Sequence, residues 1–126
     1  MPGDDLRLAM EAFIHDTAIA AGIVLTSVGS LRLAALRFSG KSETTVLRGP
    51  FEIVSLSGTL SDKGGSHLHM SVSDETGRTI GGHVTEGSIV FTTVEIAIGE
   101  LTQMQFEREV DTVTNFKELK VRKLPP

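Results

Sequence analysis

Three of the four histidines of the chain fall within one stretch, GGSHLHMSVSDETGRTIGGHV, which spans residues 64–84. They are His67, His69 and His83. Side chains alternate between the two faces of a β-strand, so in SHLHMSVS the histidines at 67 and 69 share one face, about 6.5–7 Å apart along the strand. Because two imidazoles at that spacing can converge on one ion, the pattern predicts part of a metal site.

The sequence DETG at residues 74–77 is a tight-turn signal that should return the chain as an antiparallel strand. If residues 75–76 centre this hairpin, position 83 pairs near position 68, and His83 lies beside the other two histidines. The preceding Gly81-Gly82 pair can bulge the strand, or it can let a neighbouring backbone or a ligand approach closely. Three neutral imidazoles would leave a coordination position open, as in catalytic zinc sites, where bound water reaches a pKa of about 7.

Two other interpretations of this stretch stay open at this point. The polar side chains can form the solvated face of an antiparallel strand, opposite the apolar set Leu68, Met70 and Val72. The histidines can also form a pH-responsive contact, since their charge changes near neutral pH. The fourth histidine, His15, is expected to be a solvated helix residue.

Glu52 and Glu95 are the candidates for a catalytic acid or base beside such a site. Glu95 interrupts the apolar run TTVEIAI, and a buried carboxylate is unusual unless it is paired, metal-bound or protonated. Glu52 stands near the start of a predicted strand. Both are also compatible with a solvated strand face, so the sequence assigns no catalytic residue. Three arginines are expected to be charge partners or rim residues: Arg32, Arg37 and Arg48.

The composition limits the class of protein. A chain of 126 residues with 40% hydrophobic residues predicts one domain with its own core. The chain has no cysteine, so only His, Asp and Glu remain as ligands for a transition metal. It carries 12 basic against 16 acidic residues, and its only aromatic residues are six phenylalanines. Because nucleic-acid-binding modules usually present a basic surface, direct DNA binding is not expected.

Neither a secretory signal nor a membrane span is predicted. The N-terminal segment MPGDDLRLAM is acidic early and lacks the basic and apolar regions of a signal peptide. No apolar run approaches the ~20 residues that a membrane-spanning helix needs. We therefore expect a cytoplasmic protein without a membrane partner.

One helix precedes a series of strands in the predicted organisation. The helix spans residues 4–21, with Asp4 or Asp5 as its cap and Gly22 as its stop. Its apolar stripe consists of Leu6, Met10, Phe13 and Ile14. Turn signals at Gly29-Ser30, Gly49-Pro50 and DKGG divide the rest into strands near 23–28, 31–38, 45–48, 51–60, 66–73, 78–84, 89–98 and 102–109.

These elements predict an α+β fold: an antiparallel β-sheet with one N-terminal helix packed on one face, in a single compact domain over residues 1–126. Residues 111–126, DTVTNFKELKVRKLPP, are interpreted as a surface or subunit-contact segment.

Several segments resemble the plants and prokaryotes conserved (PPC) domain family. They run in order along the chain: PGDDL at 2–6, SVGSL at 27–31, GPFEIVSLSGTL at 49–60, SHLHMSVSDETGRTIGGHV at 66–84 and VEIAIGEL at 94–101. The resemblance is to the prokaryotic type. It implies a compact α+β fold, a homotrimer and a metal site at His67, His69 and His83, with zinc as the expected ion.

The DNA-binding role of plant members is not carried over. Those members have AT-hook segments with an R-G-R-P core, and this sequence has only Arg48-Gly49-Pro50, which stands at a predicted strand start. No DNA-binding residue is therefore assigned.

Three function classes remain at this point, and whether the protein is an enzyme stays open. The first is a trimeric zinc-binding domain with a small-molecule or protein partner. The second is a non-catalytic regulatory or transcription-linked assembly module, for which the only local basic cluster is Lys117, Lys120, Arg122 and Lys123. The third is a cupin-like metal-dependent enzyme, although Asp74 stands near the position where that motif has Glu.

Overall fold

The structure, a computed structural model, describes residues 1–126 and confirms the predicted α+β class. One helix and seven strands follow one another along the chain: α1 (Leu6–Asp16), β1 (Gly22–Arg37), β2 (Thr45–Ser61), β3 (Gly65–Ser73), β4 (Thr79–Val84), β5 (Ile89–Glu100), β6 (Met104–Val110) and β7 (Lys117–Lys123). No helix has the length and apolar character required to cross a membrane.

Helix α1 is shorter than the sequence predicted. Asp5 caps it as expected, since its Oδ1 accepts a hydrogen bond from the Leu8 amide at 3.1 Å. The helix ends near Thr17, whose hydroxyl donates to the Phe13 carbonyl, and Ala18 follows with a φ of 53°. The predicted stop at Gly22 is therefore wrong. Gly22 begins β1 instead, in a buried position against the Leu60 carbonyl.

The apolar stripe of α1 is confirmed in part. Leu6, Met10 and Ile14 are buried in the core, as their helical spacing predicted. Phe13 was placed in the same stripe, but it is 51% exposed. It lies at the edge of a groove between α1 and β5 rather than inside the core.

Two predicted turns are interior points of long strands. Strand β1 passes through Gly29-Ser30, and β2 passes through Gly49-Pro50, a cis peptide. Gly29 allows Val94 of β5 to approach so closely that a Cβ at position 29 would lie 2.6 Å from the Val94 Cα. Register shifts in β1 between Gly29 and Leu33 bend the strand without ending it.

The main sheet is antiparallel, with the order β2-β3-β4-β1-β5 and a further pairing between β1 and β2. Because β1 pairs with both β2 and β4, strands β1–β4 form a closed ring of hydrogen-bonded neighbours. The core lies inside this ring and beneath α1. Its least exposed large side chains include Ile14, Leu31, Leu36, Leu68, Val72 and Val84.

Strands β6 and β7 form a separate two-stranded antiparallel sheet. Phe106 docks it on the main body, because its side chain is 5% exposed and its carbonyl accepts a hydrogen bond from the buried Ser61 hydroxyl at 2.7 Å. The segment predicted to lie on the surface from residue 111 thus contains a strand, and that strand is largely exposed. Arg122 of the basic cluster is paired with Glu107 and Glu109 of β6.

Candidate metal centre

The hairpin of β3 and β4 positions all three clustered histidines. Asp74 closes its turn, since its Oδ1 accepts hydrogen bonds from the Thr76 hydroxyl and amide and from the Arg78 amide. These hydrogen bonds, led by that of the Thr76 hydroxyl, lower the pKa of Asp74. The resulting register pairs His69 directly with His83, one residue away from the predicted partner at position 68.

The predicted division of β3 into an apolar and a polar face is confirmed. Leu68, Met70 and Val72 are between 0 and 3% exposed and belong to the core. His67 and His69 are exposed on the opposite face, and His83 is half-buried beside them. Side chains alternate between the two faces of β3. Because the core buries Leu68, Met70 and Val72, His67 and His69 must point outward.

The Gly81-Gly82 pair does not bulge β4, because its pairing with β3 is regular. Both glycines instead allow close backbone approach, the other possibility raised from the sequence. A Cβ at position 82 would lie 2.8 Å from the carbonyl oxygen of Arg37, and one at position 81 would lie 2.8 Å from that of Met70. Small residues at these two positions let β4 fit between β1 and β3.

The three imidazole rings form a nearly equilateral triangle. The ring centroids of His67 and His69 are 5.1 Å apart, those of His67 and His83 5.2 Å, and those of His69 and His83 5.5 Å. One ligating nitrogen from each residue lies within 4.8 Å of the others. A tetrahedral zinc ion holds its nitrogen donors about 3.3 Å apart, so binding one would require the three nitrogens to approach one another by at most about 1.5 Å.

The surroundings favour the neutral form of two of these histidines. Burial, followed by the positive charge of Arg108, lowers the pKa of His67. Burial, followed by the charge of Arg37, lowers the pKa of His83 to about 4. Neutral imidazole is the form that binds a metal ion, so the protein presents these side chains in the ligating state at neutral pH.

The histidines open into a cleft of about 700 Å³ between the β1–β2 connection and the β6–β7 hairpin. Its other walls are formed by Arg37, Phe38, Ser39, Gly40, Lys41, Ser42, Gly81, Gly82 and Phe116. A second depression, on the β2 side of His67 and His69, is lined by Arg108 and Glu118 of β6 and β7. Among these residues, Arg37 was expected at a rim from the sequence, whereas no local pattern indicates a site role for Lys41, Arg108, Phe116 or Glu118. They belong to distant segments, and no local spacing connects them with the histidines.

The carboxylate candidates do not join the cluster. Glu52 is exposed on β2, between Ser30 of β1 and Ser73 of β3 in the pairing register. Glu95 is exposed on β5 opposite Val28. Neither residue lines the histidine cleft.

The fourth histidine also lies outside the cluster. His15 is exposed on α1, as predicted, and its Nδ1 is 2.8 Å from the Asp62 carboxylate in the β2–β3 turn.

Comparisons with known proteins agree with this architecture. The family model of the Plants and Prokaryotes Conserved (PCC) domain matches residues 1–102. A bifunctional protein GlmU from Synechococcus sp. (strain JA-3-3Ab) is 40% identical over 124 residues, which are 98% of this chain and 20% of that protein. The chain thus spans about a fifth of the length of this curated relative.

Two solved structures share the fold along nearly the whole chain. A hypothetical protein from Salmonella enterica is 38% identical, with a TM-score of 0.95 over 98% of this chain and 88% of that one. A metal-containing protein from Archaeoglobus fulgidus is 28% identical, with a TM-score of 0.74 over 94% of this chain and 86% of that one.

Fold and site together define a small α+β domain with an outward-facing histidine triad on a hairpin of its antiparallel sheet. The chain belongs to the Plants and Prokaryotes Conserved domain family, abbreviated PPC or PCC. Family membership confirms the resemblance found in the sequence and is inconsistent with the cupin-like alternative.

Proposed function

We propose that this protein binds one divalent transition metal ion, zinc in the first place, through His67, His69 and His83. The observation that carries the proposal is the convergence of three imidazole nitrogens within 4.8 Å of one another on one β-hairpin. When bound, such an ion would supply a Lewis acid with an open coordination position. The similarity to the metal-containing protein from Archaeoglobus fulgidus supports the same assignment.

The cleft favours a binding role over hydrolysis. No Asp or Glu lines it on the open side of the histidines, and Glu118 lies in the separate depression beside His67. A general base within hydrogen-bond reach of a metal-bound water is therefore not supplied from the open side. We propose that the protein is a metal-dependent binding module for a small-molecule or protein partner. A regulatory assembly module, the second function class considered from the sequence, is compatible with this role. No residue is proposed to contact DNA.

The metal content of the purified, untagged protein tests the first proposal. Elemental mass spectrometry is expected to find about one zinc per chain in the wild type and none in a His67→Ala/His69→Ala double variant. A His15→Ala variant, which removes the histidine outside the cluster, is the matched control and should keep its metal. Stoichiometric zinc in the double variant, or none in zinc-treated wild type, would contradict the proposal.

We also propose that the protein is a homotrimer, the assembly implied by its family resemblance. Support comes from large apolar side chains that β1 and β5 leave exposed: Leu25 at 63%, Val28 at 59% and Phe91 at 51%. Such side chains on neighbouring strands are suited to burial against another copy of the chain.

A further inference from the structure

Two cations of the histidine cleft have no acidic partner. The ion pairs of the chain involve the N-terminus, Arg7, His15 and Arg122, and neither Arg37 nor Lys41 takes part in one. Both side chains line the same cleft as the three histidines. The cleft therefore places two positive side chains beside the three histidines, with no Asp or Glu among the residues that line it.

The charge of a metal-loaded cleft would be strongly positive. Three neutral imidazoles would leave both charges of a divalent ion uncompensated, and Arg37 and Lys41 would add two more. No carboxylate lines this cleft. Like charges gathered in one cleft repel one another, and an anion in the open coordination position would relieve this repulsion.

We propose that the cleft binds a small organic oxyanion, a carboxylate or a phosphate, between the histidine-bound metal and the side chains of Arg37 and Lys41. This inference rests on the proposed metal site. The guanidinium of Arg37 presents paired donors that match the geometry of either oxyanion, and the ammonium of Lys41 adds a point charge.

The position of Arg37 suits this role. Arg37 of β1 pairs directly with His83 of β4. The pairing of the two strands therefore fixes the backbone of Arg37 relative to one of the proposed metal ligands. The cleft also contains two phenyl rings, Phe38 and the 73% exposed Phe116. They offer an apolar contact for the organic part of the ligand, so the oxyanion is expected to carry a small apolar or aromatic group.

Cobalt substitution separates metal binding from anion binding. The visible spectrum of the cobalt-loaded protein reports the histidine ligands first, and its change on titration with inorganic phosphate or benzoate reports the anion. We expect Arg37→Gln to bind cobalt like the wild type but to bind the anion about tenfold more weakly or worse, because a charge-assisted contact is lost. Lys41→Gln should weaken anion binding in the same direction.

Arg32→Gln is the matched control, since Arg32 is also an exposed arginine of β1 but does not line the cleft. Its anion affinity should equal that of the wild type. Preference for phosphate or for benzoate identifies which of the two oxyanions the cleft suits.

The failures of the two proposals are distinguishable. Absence of cobalt binding by the wild type would overturn the metal site, and this inference with it. Cobalt binding without any spectral response to either anion would overturn this inference alone. Equal anion affinities of wild type and Arg37→Gln would do the same.

Discussion

Two of the three clustered histidines, His67 and His83, differ from the fourth in their burial and in the charges around them. His67 and His83 face Arg108 and Arg37, and burial with these positive charges lowers the pKa of each. His15 faces carboxylates, and its hydrogen bond to Asp62, followed by the charge of that carboxylate, raises its pKa. One residue type is thus directed toward metal binding in one place and toward protonation in another.

Zinc should stabilise the folded protein through the triad. A ligand that binds only the native state adds about 2.7 kcal/mol to the free energy of unfolding at a concentration about 100 times its Kd. We expect zinc to stabilise the wild type and His15→Ala by this amount, and a chelator to reverse the effect. Zinc should not stabilise His83→Ala, which lacks one proposed ligand. Denaturant unfolding with and without zinc measures it. The same zinc-dependent gain in His83→Ala would show that position 83 is not a ligand.

The His15–Asp62 contact predicts a pH-dependent contribution to stability. Because the pKa of His15 is raised in the folded state above its ordinary value of 6.5, the folded protein binds the proton more tightly than the unfolded chain. The stabilisation is therefore fully present below pH 6.5 and disappears as the pH rises through the raised value. The carboxylates near the ring are Asp62 across the contact and Asp16 on the same helix.

Urea unfolding of wild type and His15→Gln at about pH 5.5 and about pH 8.5 checks this prediction. The wild type should be the more stable protein at the lower pH, and the difference should shrink at the higher pH. A difference between the two proteins that is the same at both pH values would contradict the proposed ion pair.

At the scale of secondary-structure elements, the site depends on how tightly β4 fits between its neighbours. The strand is only six residues long, and it carries one of the three proposed ligands. Its register is set on one side by the Asp74 turn and β3, and on the other by two residues of β1. A change that displaces β4 is thus expected to alter both stability and metal affinity.

Gly82→Ala tests this packing. The added Cβ would lie 2.8 Å from the Arg37 carbonyl oxygen, and backbone cannot move aside as a flexible side chain can. We expect a loss of about 1–3 kcal/mol in the free energy of unfolding, typical of overpacking, together with weaker zinc binding. Gly99→Ala on β5 is the control, because its Cβ would meet only side-chain atoms at 3.3–3.4 Å. Equal stability of the two variants would refute the argument.

At the scale of the whole molecule, the closed ring of β1–β4 buries the core, whereas β5 extends the sheet beyond it. Strand β5 contributes Val94, Ile96 and Ile98 to the groove beneath α1, and Phe91 is exposed. A single copy therefore leaves apolar surface uncovered on both sides of this strand. The trimer proposal depends on the exposed apolar side chains of β1 and β5, which are Leu25, Val28 and Phe91.

Sedimentation equilibrium should give a mass three times that of the 13.5 kDa chain. Val28→Asp is expected to shift the mass toward that of the monomer, because it would remove an apolar side chain from the proposed contact and place a second carboxylate beside Glu95, the residue opposite position 28 on β5. The matched control is Val113→Asp, since Val113 is 87% exposed in the β6–β7 turn. A trimer unaffected by Val28→Asp would place the subunit contact elsewhere, and a wild-type monomer would refute the proposal.

Local patterns predicted much of the fold because alternation and turn chemistry act over a few residues. Alternation with a period of two residues predicts that Leu68, Met70 and Val72 of β3 point into the core. Asp74, in the first position of DETG, predicts the hairpin turn. The same local rules were wrong at Gly29-Ser30 and Gly49-Pro50, where glycine serves close packing and bulges inside long strands. The prediction that α1 ends at Gly22 was also wrong, because it took a glycine as the stop signal. The helix ends earlier, at Thr17 and Ala18.

By itself, the sequence determined that three histidines occur on one predicted hairpin, that two of them face away from the core, and that no thiolate can assist them. Only the tertiary structure decided which other groups surround them. Arg37 and Lys41 arrive from the end of β1 and the connection after it, and Phe116 arrives from the β6–β7 turn. Glu52 and Glu95 are directed to solvent on other strands. Pairing of strands distant in sequence sets these positions, and it depends on the packing of the whole core rather than on any local pattern.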